Sequence, residues 1–352
     1  MFKNKKIFII LASVIIICVI LFWQLGNRSI DINNNPDNAK QNINLVNEGE
    51  VSPITGLPCD NYNQRSFAVM LAMDPITRPL SGISMADLVV EMPVITGSIT
   101  RLMAVYNCQE PSEIGSVRSS RHDYIPLAMG LDAIFAHWGG SHFALDKLNA
   151  GIMNNIDAMQ NPYNAYWQDW NKHMPHNGFT SYSRLLNSAE KLGYRLTNRF
   201  EGYPHLEISK FEIRNSKLSV GRLTIGYPGH YAVYYEYDSN TNSYKRWREG
   251  TPEIDKLTGK QVETQNIVVM RAASRMIEPP DYNDVDIEGT GDLVVYRNGE
   301  EIRGIWKKEG SYKPTKLYFL DQEGEEIKFV PGKIWIEVME PYQEVKWGMS
   351  DE

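Results

Sequence analysis

The apolar residues divide the chain into an apolar start, a polar connection and a long mixed remainder. Residues Ile7 to Leu25 carry no charge, and three lysines precede them. These nineteen residues would span roughly 28 Å as a helix, about the thickness of a bilayer's hydrocarbon core. We therefore predict a single-pass membrane anchor over residues 1–26, with the N-terminus inside and the bulk of the chain outside the cytoplasm.

Two other interpretations of this start stay open. A cleaved secretory signal needs small residues after the apolar stretch, but Phe22 and Trp23 stand there. A lipid on Cys18 needs small residues before the cysteine, and three isoleucines precede it. Both interpretations are less favoured than an uncleaved anchor. Residues 27–50 are polar and rich in asparagine, which predicts a flexible tether.

The next part of the chain mixes two apolar patterns. Branched apolar runs bounded by Pro, Gly or Asn predict strands at Phe67–Met73, Leu88–Ile95, Ile99–Tyr106 and Ala133–His137. Helices are predicted at Ser120–Leu131 and Ser181–Leu192, the second of which is followed by a terminating glycine. We expect an α+β or α/β domain over residues 51–203.

The last part of the chain has strand patterns separated by turn residues. An alternating run at His230–Tyr237 is followed by Tyr244–Arg248, and Asn298-Gly299 predicts a hairpin between Leu293–Arg297 and Glu301–Trp306. A further hairpin is predicted from Leu317–Leu320 and Ile327–Val330, with a last strand at Lys333–Val338. Successive hairpins predict an antiparallel all-β domain over residues 204–345.

Charge and cysteine content narrow the possible partners. The net charge of −7 argues against a nucleic-acid partner recognised by bulk charge. Cys59 and Cys108 are the two cysteines beyond the apolar start, and they either pair in an oxidising compartment or remain free thiols. Two cysteines so far apart do not form a zinc site by themselves.

The segment Gly115–His122 is the first candidate for chemistry. Arg118, Ser119, Ser120 and Arg121 follow an extended run and lie where the predicted helix begins. Helix N-termini attract anions, so a carboxylate or phosphate is the expected ligand. The alternative is that a serine caps the helix while the arginines pair with acids such as Asp123.

The segment His137–His142 is the second candidate. Glycines Gly139 and Gly140 would let backbone amides approach a ligand, and His137, Ser141 and His142 supply acid, nucleophile and base types. A tight turn with a capping serine explains the same residues.

A metal site formed by His142, His173 and His176 is a less favoured hypothesis, because no known ligand spacing is present. No cofactor is predicted.

Several motifs resemble those of the YerB-like lipoprotein family of bacterial envelope proteins. They are Pro53–Pro58, Arg78–Asp87, Gly97–Arg101, Ile114–Arg121 and His137–Ser141, followed by Trp247–Gly250, Asn266–Val268, Gly304–Trp306 and Pro331–Trp335. The resemblance covers most of the chain after Val51 and implies an envelope protein, but it brings no activity that can be assigned to a residue. Family members are described as lipoproteins, whereas Cys18 here lacks a convincing lipidation site.

Three functions remain as hypotheses. The leading one is a membrane-anchored binding protein for an anionic envelope ligand, such as a peptidoglycan peptide or a wall polymer, held by Arg101, Arg118 and Arg121. The second is a cell-wall hydrolase that uses His137, Ser141 and His142. The third is a protein-interaction subunit of an envelope complex, in which all these motifs are structural.

Overall fold

The computed structural model describes residues 50–207, 220–310 and 312–349. The predicted anchor at 1–26 lies outside the described residues, and so does the tether at 27–50 apart from Glu50. Among the residues described, no helix has the length and apolarity needed to cross a membrane.

Residues 50–207 contain eight strands and three α-helices. The strands are β1 (Phe67–Ala72), β2 (Leu88–Pro93), β3 (Thr100–Tyr106), β4 (Ile114–Gly115), β5 (Ile134–His137), β6 (Asn155–Asp157), β7 (Tyr166–Gln168) and β8 (Gly178–Thr180). The helices are α1 (Tyr124–Gly130), α2 (His142–Asn149) and α3 (Tyr182–Lys191), with short 3-10 turns at Pro75–Thr77, Ile83–Met85 and Pro162–Asn164. Helices and strands are therefore mixed in this half, as predicted.

The second half is mostly sheet, also as predicted. Its strands are β9 (Val220–Ile225), β10 (Val233–Asp238), β11 (Ser243–Arg248), β12 (Thr251–Pro252), β13 (Glu263–Thr264), β14 (Asn266–Arg271), β15 (Ser274–Glu278), β16 (Tyr282–Val285), β17 (Gly289–Arg297), β18 (Glu300–Lys308), β19 (Tyr318–Asp321), β20 (Ile334–Met339) and β21 (Val345–Met349). One 3-10 turn is described there, at Gly229–Tyr231.

A ten-stranded sheet combines strands of both halves. Its order is β19-β18-β17-β14-β20-β2-β3-β1-β5-β6. Strand β20 pairs in parallel with both β14 and β2, so the prediction of a purely antiparallel second half was wrong at this strand. All six residues of β20 are buried and five of them are apolar, which suits the centre of a sheet with parallel pairing. The domain boundary near residue 203 stays a prediction.

The smaller sheets are antiparallel. Strands β12, β11, β10, β9 and β21 follow one another in a six-stranded sheet, with β13 also paired to β11. Strands β4, β8 and β7 form a three-stranded sheet, and β15 pairs with β16. The predicted hairpin across Asn298-Gly299 is formed by β17 and β18. The predicted strand Ile327–Val330 is not formed, since only isolated bridges occur at Glu326 and Phe329.

Both faces of the large sheet are buried at its central strands. Because side chains alternate along a strand, Phe67, Val69 and Leu71 of β1 point to one face, and Ala68 and Met70 point to the other. The first face packs against the six-stranded sheet and helix α3, and the second packs against helices α1 and α2. A disulfide joins Cys59, ahead of β1, to Cys108, just after β3, with the sulfur atoms 2.11 Å apart.

Candidate functional site

The segment after β4 lies along the free end of β1. Strand β5 pairs with β1 only up to Val69, and beyond that point the backbone of residues 116–118 takes its place. The Ala72 amide donates to the Ser116 carbonyl at 3.0 Å, and the Arg118 amide donates to the Met70 carbonyl at 2.8 Å. Arg118 is thereby placed where β1 and β5 separate.

The helix expected at Ser120 begins later. Helix α1 starts at Tyr124, with Asp123 at its N-cap, and it has seven residues. Pro126 explains the difference, because a helix starting at Ser120 would place the proline ring against the carbonyl four residues earlier. The Ser120 amide bonds to the Gly139 carbonyl at 2.9 Å, so neither it nor the Arg118 amide is free for an anion. The helix-terminus part of the anion prediction was therefore wrong.

Three arginine side chains come together at this point, from β3 and from the segment before α1. We call Arg101, Arg118 and Arg121 the unpaired arginine cluster. Arg101 Nη1 donates to the Ser119 carbonyl at 2.8 Å, and Arg121 Nη1 donates to the Ser120 carbonyl at 3.2 Å. Arg101 and Arg121 are buried, whereas Arg118 is partly exposed.

The unpaired arginine cluster has no acidic partner among the residues that the structure describes. In the described part of the chain, no carboxylate lies within the 4.0 Å that defines an ion pair with any of the three guanidinium groups. The Nε atoms of Arg118 and Arg121 are buried without a hydrogen-bond partner among those residues. Burial, followed by the positive charges of Arg121 and Arg118, lowers the pKa of Arg101 to about 9. The predicted pairing of these arginines with Asp123 is not found.

The surroundings of the cluster are polar on one side and aromatic on the other. Burial is the main cause that lowers the pKa of His176. Asp74 opposes this change, and the nearby positive charges of Arg118 and Arg101 add to it. The next residue, Asn177, has a buried Nδ2 with no partner in the described structure. On the other side, Arg121 Cζ lies 5.4 Å from the centre of the Tyr282 ring.

Tyr282 belongs to an aromatic group that the sequence did not suggest. Its ring centre lies 5.4 Å from that of His142 and 5.9 Å from that of Phe143. These rings are at least partly exposed, and Tyr282 comes from strand β16, far away in sequence. The cluster therefore has an aromatic surface beside it.

The glycine turn at residues 139–140 lies directly beside the arginine segment. Ser120 and Gly140 form a parallel bridge, and a Cβ atom on Gly140 would lie 2.2 Å from Ser120 Oγ. Gly139 has a positive φ of 60°, and its amide donates to Asp157 Oδ1 at 2.8 Å. The two loops are thus in contact, but the Gly139 amide is already occupied.

The three hydrolase candidates each have a different partner. His137 is fully buried, with Nδ1 2.9 Å from the Gly139 carbonyl and Nε2 3.2 Å from Asn155 Oδ1. Ser141 caps α2, and its Oγ accepts from the Ala144 amide. His142 is half-exposed and pairs with Glu278 at 3.3 Å. Across the described chain, no hydrogen bond joins Ser141 to either histidine, so nucleophile and base are not assembled.

The predicted metal histidines do not gather either. His142 pairs with Glu278, His176 lies 3.9 Å from Asp74, and the His173 carbonyl accepts from the His176 amide. In the residues the structure describes, the one group with metal-like spacing is His122, Asp123 and Asp284. Sequence reasoning missed it because Asp284 lies 162 positions from His122.

A second group of buried arginines provides a contrast. Arg246 and Arg248 on β11 are paired with Glu91 of β2, Glu253 and Glu337 of β20, and we call these five residues the paired arginine network. Arg248 Nη2 lies 2.7 Å from Glu91 Oε2. Burial raises the pKa of Glu337 to about 7, although Arg246 opposes this change. The network joins the two larger sheets.

The chain matches one protein family over both of its halves. Residues 54–195 match the N-terminal domain, and residues 223–336 the C-terminal domain, of a family described as a protein of unknown function, DUF3048. The chain belongs to this family.

A curated relative and a solved structure agree with that assignment. The chain is 33% identical over 294 residues to a Bacillus subtilis (strain 168) protein named "Putative lipoprotein YerB", covering 82% of this chain and 86% of the relative. The crystal structure of the YerB protein from Bacillus subtilis superimposes with a TM-score of 0.75 at 28% identity, over 85% of this chain and 99% of that one. The family resemblance inferred from the motifs is confirmed.

Proposed function

We propose that this chain is a membrane-anchored, extracytoplasmic protein that binds an anionic ligand of the cell envelope through the unpaired arginine cluster. The observation that carries the proposal is the convergence of Arg101, Arg118 and Arg121 without an ion-pair partner in the described residues. Buried charges in folded proteins are normally paired, so an uncompensated group implies a partner that arrives from outside.

The chemistry of the cluster favours a carboxylate or a phosphate. Guanidinium groups bind such oxyanions through two parallel hydrogen bonds, and no carboxylate among the described residues occupies the three guanidinium groups. Arg118 is the most exposed of the three and would make the first contact with the ligand, while the buried Arg101 adds positive charge. The Tyr282 ring beside Arg121 can pack against the apolar face of a sugar or a peptide side chain.

The proposed location outside the membrane favours an envelope ligand. The predicted anchor and tether would hold the folded part outside the membrane, and the relative's name as a lipoprotein agrees with membrane attachment. Peptidoglycan peptides carry carboxylates and wall polymers carry phosphates, so both present the required group. No observation favours the hydrolase hypothesis, because its three candidate residues have separate partners.

Co-sedimentation of the full-length chain with purified cell wall tests the proposal. The wall is used intact and after chemical removal of its phosphate polymers, which distinguishes the two ligand sources. We expect Arg118→Gln to weaken retention by about tenfold or more, as expected when an ion pair to a charged ligand is lost. Arg199→Gln removes an exposed arginine outside the cluster and should bind like the wild type.

Two results would overturn the proposal. One is that wild-type protein is not retained by either wall preparation. The other is that Arg118→Gln and Arg199→Gln bind equally well. The second result would favour the protein-interaction hypothesis, in which the cluster has no ligand in the wall.

A further inference from the structure

A cleft of about 300 Å³ lies beside helix α1 and strand β16. His122 and Asp123 line it from the start of the helix, and Asp284 lines it from the strand. His122 Nε2 lies 3.2 Å from Asp123 Oδ1 and 3.1 Å from Asp284 Oδ1. We propose that His122, Asp123 and Asp284 form a binding site for a divalent transition-metal ion.

The spacing of the three ligand atoms fits a shared ion. All three lie within 4.8 Å of one another. Ligands about 2.1 Å from a tetrahedral metal lie about 3.4 Å apart, close to the observed separations. An imidazole Nε2 carries at most one hydrogen, so one ring nitrogen cannot form a good hydrogen bond to two carboxylates at once. A cation between the three atoms satisfies them together.

A second observation points to a missing ligand at the same place. Asp123 is only 4% exposed, and its Oδ2 has no hydrogen-bond partner within the described residues. Buried carboxylate oxygens are rarely left unsatisfied. Its Oδ1 accepts from the Val285 amide at 3.3 Å, which fixes the carboxyl group in the cleft. Asp123 therefore contributes a carboxyl group that is fixed in position but has one oxygen without a hydrogen-bond partner in the described structure.

Positively charged side chains lie near the proposed site, but they do not take the place of the metal ion. Arg275 pairs with Asp284 through Oδ2 and with Asp286 at 2.8 Å, leaving Asp284 Oδ1 for the ion. The Arg275 side chain is 60% exposed and can turn towards solvent. Lys147 and Arg121 also act on His122 electrostatically. These charges should weaken the site relative to one built in neutral surroundings.

The donor set selects the class of metal. One imidazole nitrogen and two carboxylate oxygens suit Zn²⁺ or Mn²⁺, whereas Ca²⁺ and Mg²⁺ prefer oxygen ligands alone. Three protein ligands in an open cleft leave coordination positions for water or for a ligand atom. The site does not depend on the proposed function, because none of its residues belongs to the unpaired arginine cluster.

Calorimetric titration of the metal-stripped, full-length chain with Zn²⁺ tests the site. We expect one ion per chain, with Asp284→Asn weakening the affinity by about tenfold to a hundredfold. Asp286→Asn is the matched control, since it removes an acid from the same strand region without removing a ligand, and it should stay within about threefold of the wild type. Mg²⁺ in place of Zn²⁺ should bind at least about a hundredfold more weakly.

Cobalt substitution gives a spectroscopic readout of the ligand atoms themselves. Co²⁺ bound through an imidazole and two carboxylates absorbs visible light, and His122→Gln should remove this absorption while Asp286→Asn retains it. Absence of Zn²⁺ binding to the wild type at about 100 µM would overturn the proposal. So would equal affinities for Asp284→Asn and the wild type.

Discussion

Two groups of arginines in the described residues differ in their partners. In the paired arginine network, Arg246 and Arg248 contact three carboxylates between the two larger sheets. In the unpaired arginine cluster, three arginines gather at the end of β1 with no carboxylate in ion-pair range among the described residues. The arginines of the first group are therefore ion-paired between the sheets, whereas those of the second group have no ion-pair partner in the described structure.

The largest effect is expected from breaking the paired network. Glu91→Gln removes the carboxylate that contacts both Arg246 and Arg248, leaving buried arginines with too little negative charge. Removing one partner of a buried ion pair typically costs about 3 to 5 kcal/mol of unfolding free energy. Urea unfolding measures this loss. A decrease below about 1 kcal/mol would show that the network is not structural.

The network should also make stability depend on pH. The pKa of Glu337 is raised to about 7 from its ordinary 4.5, so the folded state binds this proton more tightly than the unfolded state. The associated stability is fully present below about pH 4.5 and is lost as the pH rises through about 7. In the wild type, we expect this rise in pH to lower the unfolding free energy by on the order of 2 kcal/mol, and Glu337→Gln should abolish that decrease.

Urea unfolding of both proteins at several pH values between about 5 and 8 measures this difference. Burial also raises the pKa of Asp87, to about 6, but that residue is present in both proteins and its contribution cancels. Stability curves that run parallel for the wild type and Glu337→Gln would contradict the assignment.

Removing a charge from the unpaired cluster should have the opposite result. Arg121→Met retains the apolar part of the side chain over Tyr282 and removes a buried charge that has no acidic partner. We expect the unfolding free energy to stay the same or to rise by up to about 1 kcal/mol, because repulsion from Arg101 and Arg118 is relieved. A loss of about 3 kcal/mol would place Arg121 in the scaffold.

A simple anion should stabilise the protein by a similarly small amount. Inorganic phosphate at about ten times its dissociation constant would add about 1.4 kcal/mol, or roughly 2 °C in melting temperature. Phosphate also stabilises proteins in general, so the informative quantity is the difference between wild type and Arg118→Gln at equal ionic strength. Identical shifts in the two proteins would argue against an anion site.

Sequence patterns predicted the strands better than their partners. The apolar runs that became β1, β2 and β3 were predicted within two residues at their ends. The parallel pairing of β20 was not predicted, because turn residues on both sides made it look like one more hairpin strand. Strand pairing between distant segments leaves no local signal in a single sequence.

The candidate site was predictable only in part. The spacing of Arg118 and Arg121 identified a basic segment, but Pro126 was overlooked as a limit on where the helix begins. The sequence does contain a signal for the paired arginine network, since Glu91 and Glu337 each lie within an otherwise apolar strand. An acid in such a position must find a partner, although the sequence does not say which.

The central claim is that the arginines of the unpaired cluster act together on one anion. A double-mutant cycle with Arg118→Gln and Arg121→Gln, read as affinity for purified cell wall, tests it most directly. We expect each single variant to bind about tenfold or more weakly, and we expect the double variant to lose less than the sum of the two free-energy changes. Single variants that bind within about twofold of the wild type would contradict it.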